Sequence, residues 1–218
     1  MPTLAIIHTT PATLTSLKKL ALETIPDLTV INFMDDSILP QLANNQGNLA
    51  EVEERLIAYA RFAEQAGADI ILEACSSVGE VTKKMRMVVK VPVVRIDEEM
   101  AEWVVKQEKK IGVAATLATT LNPTTKLLEE KASILGKKVL LTPRLIEGAY
   151  QRIINGDQAG HDNLLMDTFS FLLNEVDVIV LAQASMAGVA EKMPEEDRAK
   201  FFSSPSFAIN QVKTLLQK

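Results

Sequence analysis

One stretch of this chain is written twice. Asp69-Ile-Ile-Leu-Glu-Ala-Cys75-Ser-Ser-Val-Gly-Glu-Val81 reappears 108 positions later (69 to 177) as Asp177-Val-Ile-Val-Leu-Ala-Gln183-Ala-Ser-Met-Ala-Gly-Val189. A second pair, Ile6-Ile-His-Thr-Thr-Pro-Ala-Thr13 and Gly112-Val-Ala-Ala-Thr-Leu-Ala-Thr119, is shifted by 106 (6 to 112). Apolar strands resemble one another, so either match alone says little. Two matches with nearly the same shift are what a tandem duplication leaves behind. The chain is therefore expected to form two similar lobes, residues 1–96 and 97–204. A C-terminal helix at about 205–218 belongs with the first lobe.

Within each lobe short β-rich runs alternate with longer helical patterns. Strands are expected at residues 4–8, 28–33, 69–74, 111–115, 138–142 and 176–182. Several are apolar throughout, as in parallel strands covered on both faces. The clearest helix runs over 49–66 from an Asn48 cap. Its apolar residues Leu49, Val52, Leu56, Ala60 and Ala63 form one stripe, and Gly67 stops it. A second helix is expected to begin at Asn122–Pro123, with asparagine as cap and proline in the first turn, and to end near Gly136. Others are expected at 13–23, 98–109 and 163–174. Strand then helix, repeated, defines an α/β fold of two similar lobes, each a mostly parallel sheet flanked by helices and related by a pseudo-twofold.

Composition removes several function classes. Against 28 acidic residues there are 23 basic ones, a net charge of -5. The densest basic stretch, Lys83-Lys84-Met85-Arg86, is too short to make the positive surface that nucleic acid needs. No apolar run approaches the roughly 20 residues that cross a bilayer. The first residues open directly into strand-like sequence rather than a signal peptide, so the protein is expected to be cytoplasmic, with neither nucleic acid nor membrane as partner. One cysteine forms no internal disulfide, and two histidines make no zinc cluster, so no metal is expected. No glycine-rich dinucleotide or phosphate loop occurs. What remains is chemistry for a lone thiol, hydroxyls and carboxylates.

Ligands of open α/β sheets bind beyond the carboxyl ends of the strands. Four strands run out into small polar residues: His8-Thr9-Thr10, Cys75-Ser76-Ser77, Thr116-Leu-Ala-Thr119-Thr120 and Gln183-Ala-Ser185. Each precedes an expected helix, whose free N–H groups and partial positive charge suit a small carboxylate. Cys75 at such a junction is expected to have its thiol acidified toward neutrality and to serve as base or nucleophile. Free cysteine is often merely a small buried hydrophobe. The flanking serines, Gly79 and the repeat favour the functional reading.

Together Glu73-Ala-Cys75-Ser-Ser-Val-Gly79, Gly112-Val-Ala-Ala-Thr-Leu-Ala-Thr119 and Val178-Ile-Val-Leu-Ala-Gln183-Ala-Ser-Met186 resemble the aspartate/glutamate/hydantoin racemase superfamily over essentially the whole chain. That resemblance implies two α/β lobes around a cleft, no cofactor, a homodimer, and proton transfer at the carbon alpha to a carboxylate. In the family each lobe supplies a cysteine, one removing the proton and one delivering it to the opposite face. By the resemblance Cys75 is the first-lobe base. Thr116, Thr119 and Thr120 hold the substrate carboxylate, with Thr9 and Thr10 as their first-lobe counterparts. His8, Ser76, Ser77 and Ser185 complete the expected substrate-binding set.

This chain departs from the family at the second cysteine, where Gln183 stands. A glutamine amide exchanges no proton at neutral pH. Three readings are open: an enzyme with one essential thiol, including one-sided protonation as in arylmalonate decarboxylases, with Gln183 donating to a developing enolate oxygen; a racemase using Glu147 or Ser185 on the second face; or a carboxylate-binding protein without turnover. Among other residues, His8 either approaches the cleft to tune Cys75 or is satisfied by backbone at the strand end. His161, in a Gly160-His-Asp162 turn, is expected at the surface. Arg95 is expected as substrate counter-ion or as a lobe-connecting salt bridge, and Asp97 and Glu98 as helix caps. Trp103, Met85, Met87 and Met100 are expected in packing, and Glu147 on a solvated face.

Overall fold

The computed structural model describes residues 1–217. The chain divides into two compact units, Met1–Glu99 together with the chain from Pro205, and Met100–Ser204.

The first unit alternates β1 (Thr3–His8), α1 (Leu14–Thr24), β2 (Thr29–Met34), α2 (Ile38–Asn44), α3 (Glu53–Gln65), β3 (Ile70–Glu73), α4 (Thr82–Val88) and β4 (Val93–Arg95). All pairings are parallel, in the order β2-β1-β3-β4. The two-residue period of the strands divides the core. Leu4, Ile6, Ile70 and Leu72 point toward Leu17 and Ala21 of α1. Ala5, Ile7 and Ile71 point toward Leu56, Ala60 and Ala63 of α3.

The second unit repeats the pattern. After α5 (Glu98–Gln107) come β5 (Lys110–Ala115), α6 (Ala118–Ile134), β6 (Leu140–Leu145), α7 (Ala149–Ile154), α8 (Gln158–Leu172), β7 (Val178–Leu181), α9 (Ala187–Ala190), α10 (Glu195–Arg198) and β8 (Phe201–Ser203). The sheet is again parallel, in the order β6-β5-β7-β8. Phe169 of α8 packs with Ala114, Ile179 and Leu181 in its core. The last helix, α11 (Ser204–Leu216), returns Ala208, Ile209 and Val212 to the core that α1 covers in the first unit.

The duplication extends to single hydrogen bonds. Asp69 Oδ2 accepts the backbone N–H of Thr3 at 2.7 Å, and Asp177 Oδ2 that of Lys110 at 2.9 Å. The carbonyls of Cys75 and Gln183 each accept, at 3.1 Å, the N–H of the residue three further on, opening a 3-10 turn. Cys75 and Gln183 are thus counterparts by position, as are Thr9 and Thr116, the residues just beyond β1 and β5.

Several elements differ from expectation. The 49–66 pattern is broken into a 3-10 turn, Leu49–Glu51, and α3, with the Asn48 side chain capping Ala50 N–H as expected. Helix α6 begins at Ala118, so Pro123 lies inside it rather than opening it. Its start is set by the short exit from β5, and proline costs it one i-to-i−4 bond. Helix α8 starts at Gln158, capped by Asp157, so His161 is helical and only 6% exposed rather than in a surface turn. Strand β6 lies two to three residues beyond its expected place. Met85 and Met100 are buried, but Met87 is 75% exposed, on the outer face of α4. Strands β4 and β8, three residues each, are too short to show a period.

Candidate active site

In the first unit, Ile7 and Thr9 lie on the same sheet face as Ile71, Glu73 and Cys75. Cys75 is half-buried, and its side chain rests on the core beneath α3. Ser76 and Ser77 come next, both buried, at the start of the 3-10 turn Ser76–Val81. The Thr9 hydroxyl and the Ser77 hydroxyl and N–H favour ionisation of the sulfur, but burial and the carboxyl of Glu73 outweigh them. The thiol is pushed up to about 11. This corrects the expectation of an acidified thiol. Cys75 leads into a six-residue 3-10 turn, too short to present a large dipole, and a buried carboxyl lies next to it.

Glu73 was not singled out in the sequence, although a carboxyl ending an aliphatic strand is a legible anomaly. It is fully buried, and its Oε1 accepts the N–H of Cys75 at 2.8 Å. Burial, then the nearby Asp97, hold it well above the usual carboxylate range. Arg95 is neither a free counter-ion nor a link between lobes. Its Nε and Nη2 donate to the two oxygens of Asp97 at 2.6 and 3.1 Å, in a pair that is almost wholly buried. Both oxygens of Asp97 thus serve the ion pair, and Glu98 pairs with Arg86 at 2.6 Å.

His8 takes neither expected role. In line with Leu4 and Ile6, it faces α1, with Nε2 3.1 Å from Asn32 Oδ1 and Nδ1 3.3 Å from Thr13 Oγ1. Burial lowers its pKa against the pull of Asn32. The Thr10 hydroxyl accepts from Ala12 N–H and caps the turn Pro11–Thr13. Beyond β2 lies a polar network that sequence reading missed. Asp35 accepts from Tyr59 at 2.9 Å and from Arg55 at 2.8 Å, both on α3.

The second unit assembles its own strand-end group. Gln183 Oε1 accepts from the Thr116 N–H at 2.7 Å and from its hydroxyl at 2.9 Å. A backbone N–H only donates, so the oxygen end of the amide is fixed there. Thr116 and Thr120 are buried, Thr119 is half-buried, and Ser185 is exposed in the turn after Gln183. Glu147 lies exposed beyond β6. Farther along, His161 Nδ1 lies 2.8 Å from Asp162 Oδ1, and Lys192 holds the other oxygen at 2.5 Å. Despite its burial, Asp162 is drawn down to about 2 by Lys192, His161 and Gln158. Among the described residues no three His, Cys, Asp or Glu side chains gather as a metal ion would require, and no helix is long and apolar enough to cross a membrane.

A duplicated parallel α/β unit with polar strand ends defines a class, and comparison with known proteins gives it a family. The model for Asp/Glu/hydantoin racemases matches residues 5–212, and the chain belongs to that family. None of the curated proteins searched matches the chain. Among solved structures, a glutamate racemase from Francisella tularensis in complex with D-glutamate is 17% identical, with a TM-score of 0.77, covering 99% of this chain and 81% of that one. An aspartate racemase homologue from Pyrococcus horikoshii is 20% identical, with a TM-score of 0.74 and 100% of both chains covered. A cysteine mutant of arylmalonate decarboxylase is 16% identical, with a TM-score of 0.65, covering 99% and 94%. At these identities the likeness is one of fold.

Proposed function

We propose that the protein transfers a proton, without a cofactor, at the carbon alpha to a carboxylate, with Cys75 as the acid/base. The observation that carries this is the placement of the chain's single thiol at the carboxyl end of β3, between a strand-end threonine and two buried serines, in a chain of the racemase family. Thr9, Thr10, Ser76 and Ser77 in one unit, and Thr116, Thr119, Thr120 and Ser185 in the other, are the proposed carboxylate-binding groups. The D-glutamate held by the Francisella relative supports a small carboxylate as substrate. By family resemblance the protein works as a homodimer, which sedimentation checks.

Two observations favour a one-sided form of this chemistry. A thiol at about 11 rests as S–H, and the Gln183 amide is neither an acid nor a base near neutral pH. An S–H donates first. A malonate-type dianion loses carbon dioxide, the electron pair left behind forms an enolate, Cys75 gives its proton to the alpha carbon, and solvent reprotonates the sulfur. The Gln183 amide, its oxygen held by Thr116, offers N–H to an anionic oxygen.

Proton NMR in deuterated water over a panel of amino acids, hydantoins and substituted malonates tests both forms. Cys75-dependent deuterium incorporation or decarboxylation is expected, with C75S reduced at least ~100-fold. If a thiolate acts first, the rate climbs as pH approaches 11; if S–H acts first, it falls as pH passes 11. A single-enantiomer product identifies one-sided protonation, and loss of optical rotation identifies racemisation. Thermal stabilisation by carboxylates with no turnover anywhere in the panel overturns the proposal in favour of a binding protein.

A further inference from the structure

Glu73 closes a strand whose other residues, Ile70, Ile71 and Leu72, are aliphatic and buried. A carboxyl is almost never found so deep without full pairing. Oε1 accepts the Cys75 N–H at 2.8 Å, but Oε2 is buried with no hydrogen-bond partner. Across the β3–β4 ladder Glu73 stands in register with Arg95, yet two guanidinium nitrogens of Arg95 are committed to Asp97. On the turn side, Gly79 lies so close to that guanidinium that any Cβ would overlap Nε. On the other side β1 presents uncharged Ile7 in register. Cys75, Arg95 and Asp97 are therefore the ionisable groups acting on Glu73, with Glu98 acting on Arg95.

We propose that Glu73 is a positioning residue for Cys75: its buried carboxyl anchors the Cys75 amide and, through its own charge, sets how readily the adjacent thiol gives up its proton. A neutral Glu73 presents the sulfur with no negative charge, and an ionised one confronts it with a buried anion that opposes the thiolate. The two groups then titrate as a pair, with macroscopic steps belonging to both. Burial first, and then Asp97, favour the neutral acid in the resting protein. The bearing of this on catalysis rests on the proton-transfer reading of Cys75. The coupling itself is a property of the unliganded protein.

Because Cys75 is the only cysteine, alkylation by iodoacetamide reports on one sulfur. The pH profile of its rate is to be measured on the whole chain for wild type and for E73Q, which keeps an oxygen to accept the Cys75 N–H but cannot become charged. The midpoint is expected to fall by about one pH unit in the variant, making alkylation about ten-fold faster at pH values where wild-type Glu73 is ionised but below both midpoints, and leaving it equal at lower pH, where Glu73 is neutral. An unchanged midpoint overturns the proposal. A second measurement needs no variant: carboxyl carbon NMR of glutamate-labelled wild type is expected to show one side chain titrating far above the others and shifting when Cys75 is alkylated. If all glutamates titrate together, the proposal is likewise overturned. Should the alkylation midpoint move while no carboxylate substrate is turned over, the coupling stands and the enzymatic reading falls. Should turnover occur with an unmoved midpoint, the reverse holds.

Discussion

A buried carboxyl that keeps its proton makes stability depend on pH in a definite direction. Glu73 is raised above its unfolded value, so above about pH 4.5 the unfolded chain releases a proton that the folded one retains. Its contribution is neutral below that point and increasingly destabilising as pH climbs toward the folded value, after which it levels off. Asp162 runs the other way: drawn down to about 2, it stabilises above about pH 4 and loses that contribution as pH falls through 2. Urea denaturation at pH 5 and pH 8 separates the two effects. E73Q is expected to gain stability over wild type at pH 8 relative to pH 5, and an equal difference at both pH values would show that Glu73 is ionised throughout. The second residue-scale expectation is steric. Gly79→Ala places a methyl group on the buried Arg95 guanidinium, which should cost about 1–3 kcal/mol by equilibrium unfolding. The charged neighbours of Glu73 could not be seen in the sequence because Arg95 and Asp97 come near it through pairing of β4 with β3, a non-local event. What could be seen was the carboxyl itself, out of place after Ile-Ile-Leu.

Among elements, legibility tracks length and period. The stripe Val52, Leu56, Ala60 and Ala63 is wholly buried, as a helical repeat should be. The strands β1, β3, β5 and β7 are readable because interior parallel strands are apolar on both faces. Boundaries fail where local signals compete with chain geometry. Asn122–Pro123 is a proper helix opening taken alone, but the tight exit from β5 starts α6 at Ala118 and overrides it. Pro123 then leaves the Thr119 carbonyl without its helical donor. Pro123→Ala should restore that bond and raise stability by roughly 1–3 kcal/mol in thermal or chemical unfolding. A decrease would mean that the fixed proline ring matters more to the unfolded chain than to the helix. His161 illustrates the same limit. Glycine before it looks like a turn, yet the Asp157 cap carries the helix through Gly160. Of the candidate site, the strand-end threonines, serines, Cys75 and Gln183 can all be read from the repeat. The electrostatics cannot, since the thiol's environment depends on a neighbour two residues back being folded inward.

At the scale of the molecule, two units of identical strand order are built on the same aspartate-to-strand hydrogen bonds, Asp69 to Thr3 and Asp177 to Lys110. The repeat in sequence announces this. The return of the last helix is subtler, because its apolar residues name no partner until the fold supplies one. Ala208, Ile209 and Val212 are fully buried against Leu4, Leu17, Ile70 and Val94. Ile209→Ala should therefore cost about 2–5 kcal/mol, and amide hydrogen exchange should show the loss of protection in β1 and β3. Protection lost only in β5 and β7 would contradict the assignment of α11 to the first core. The path of the chain also has a consequence for its synthesis. The stretch from Met100 to Ser204 is contiguous and can close as soon as it has left the ribosome. The portion before Met100 must wait, one side of its sheet incompletely covered, for residues made only after Ser204. Of the two units, the one that begins first is thus completed second, and during that interval its uncovered aliphatic strands are in need of a chaperone.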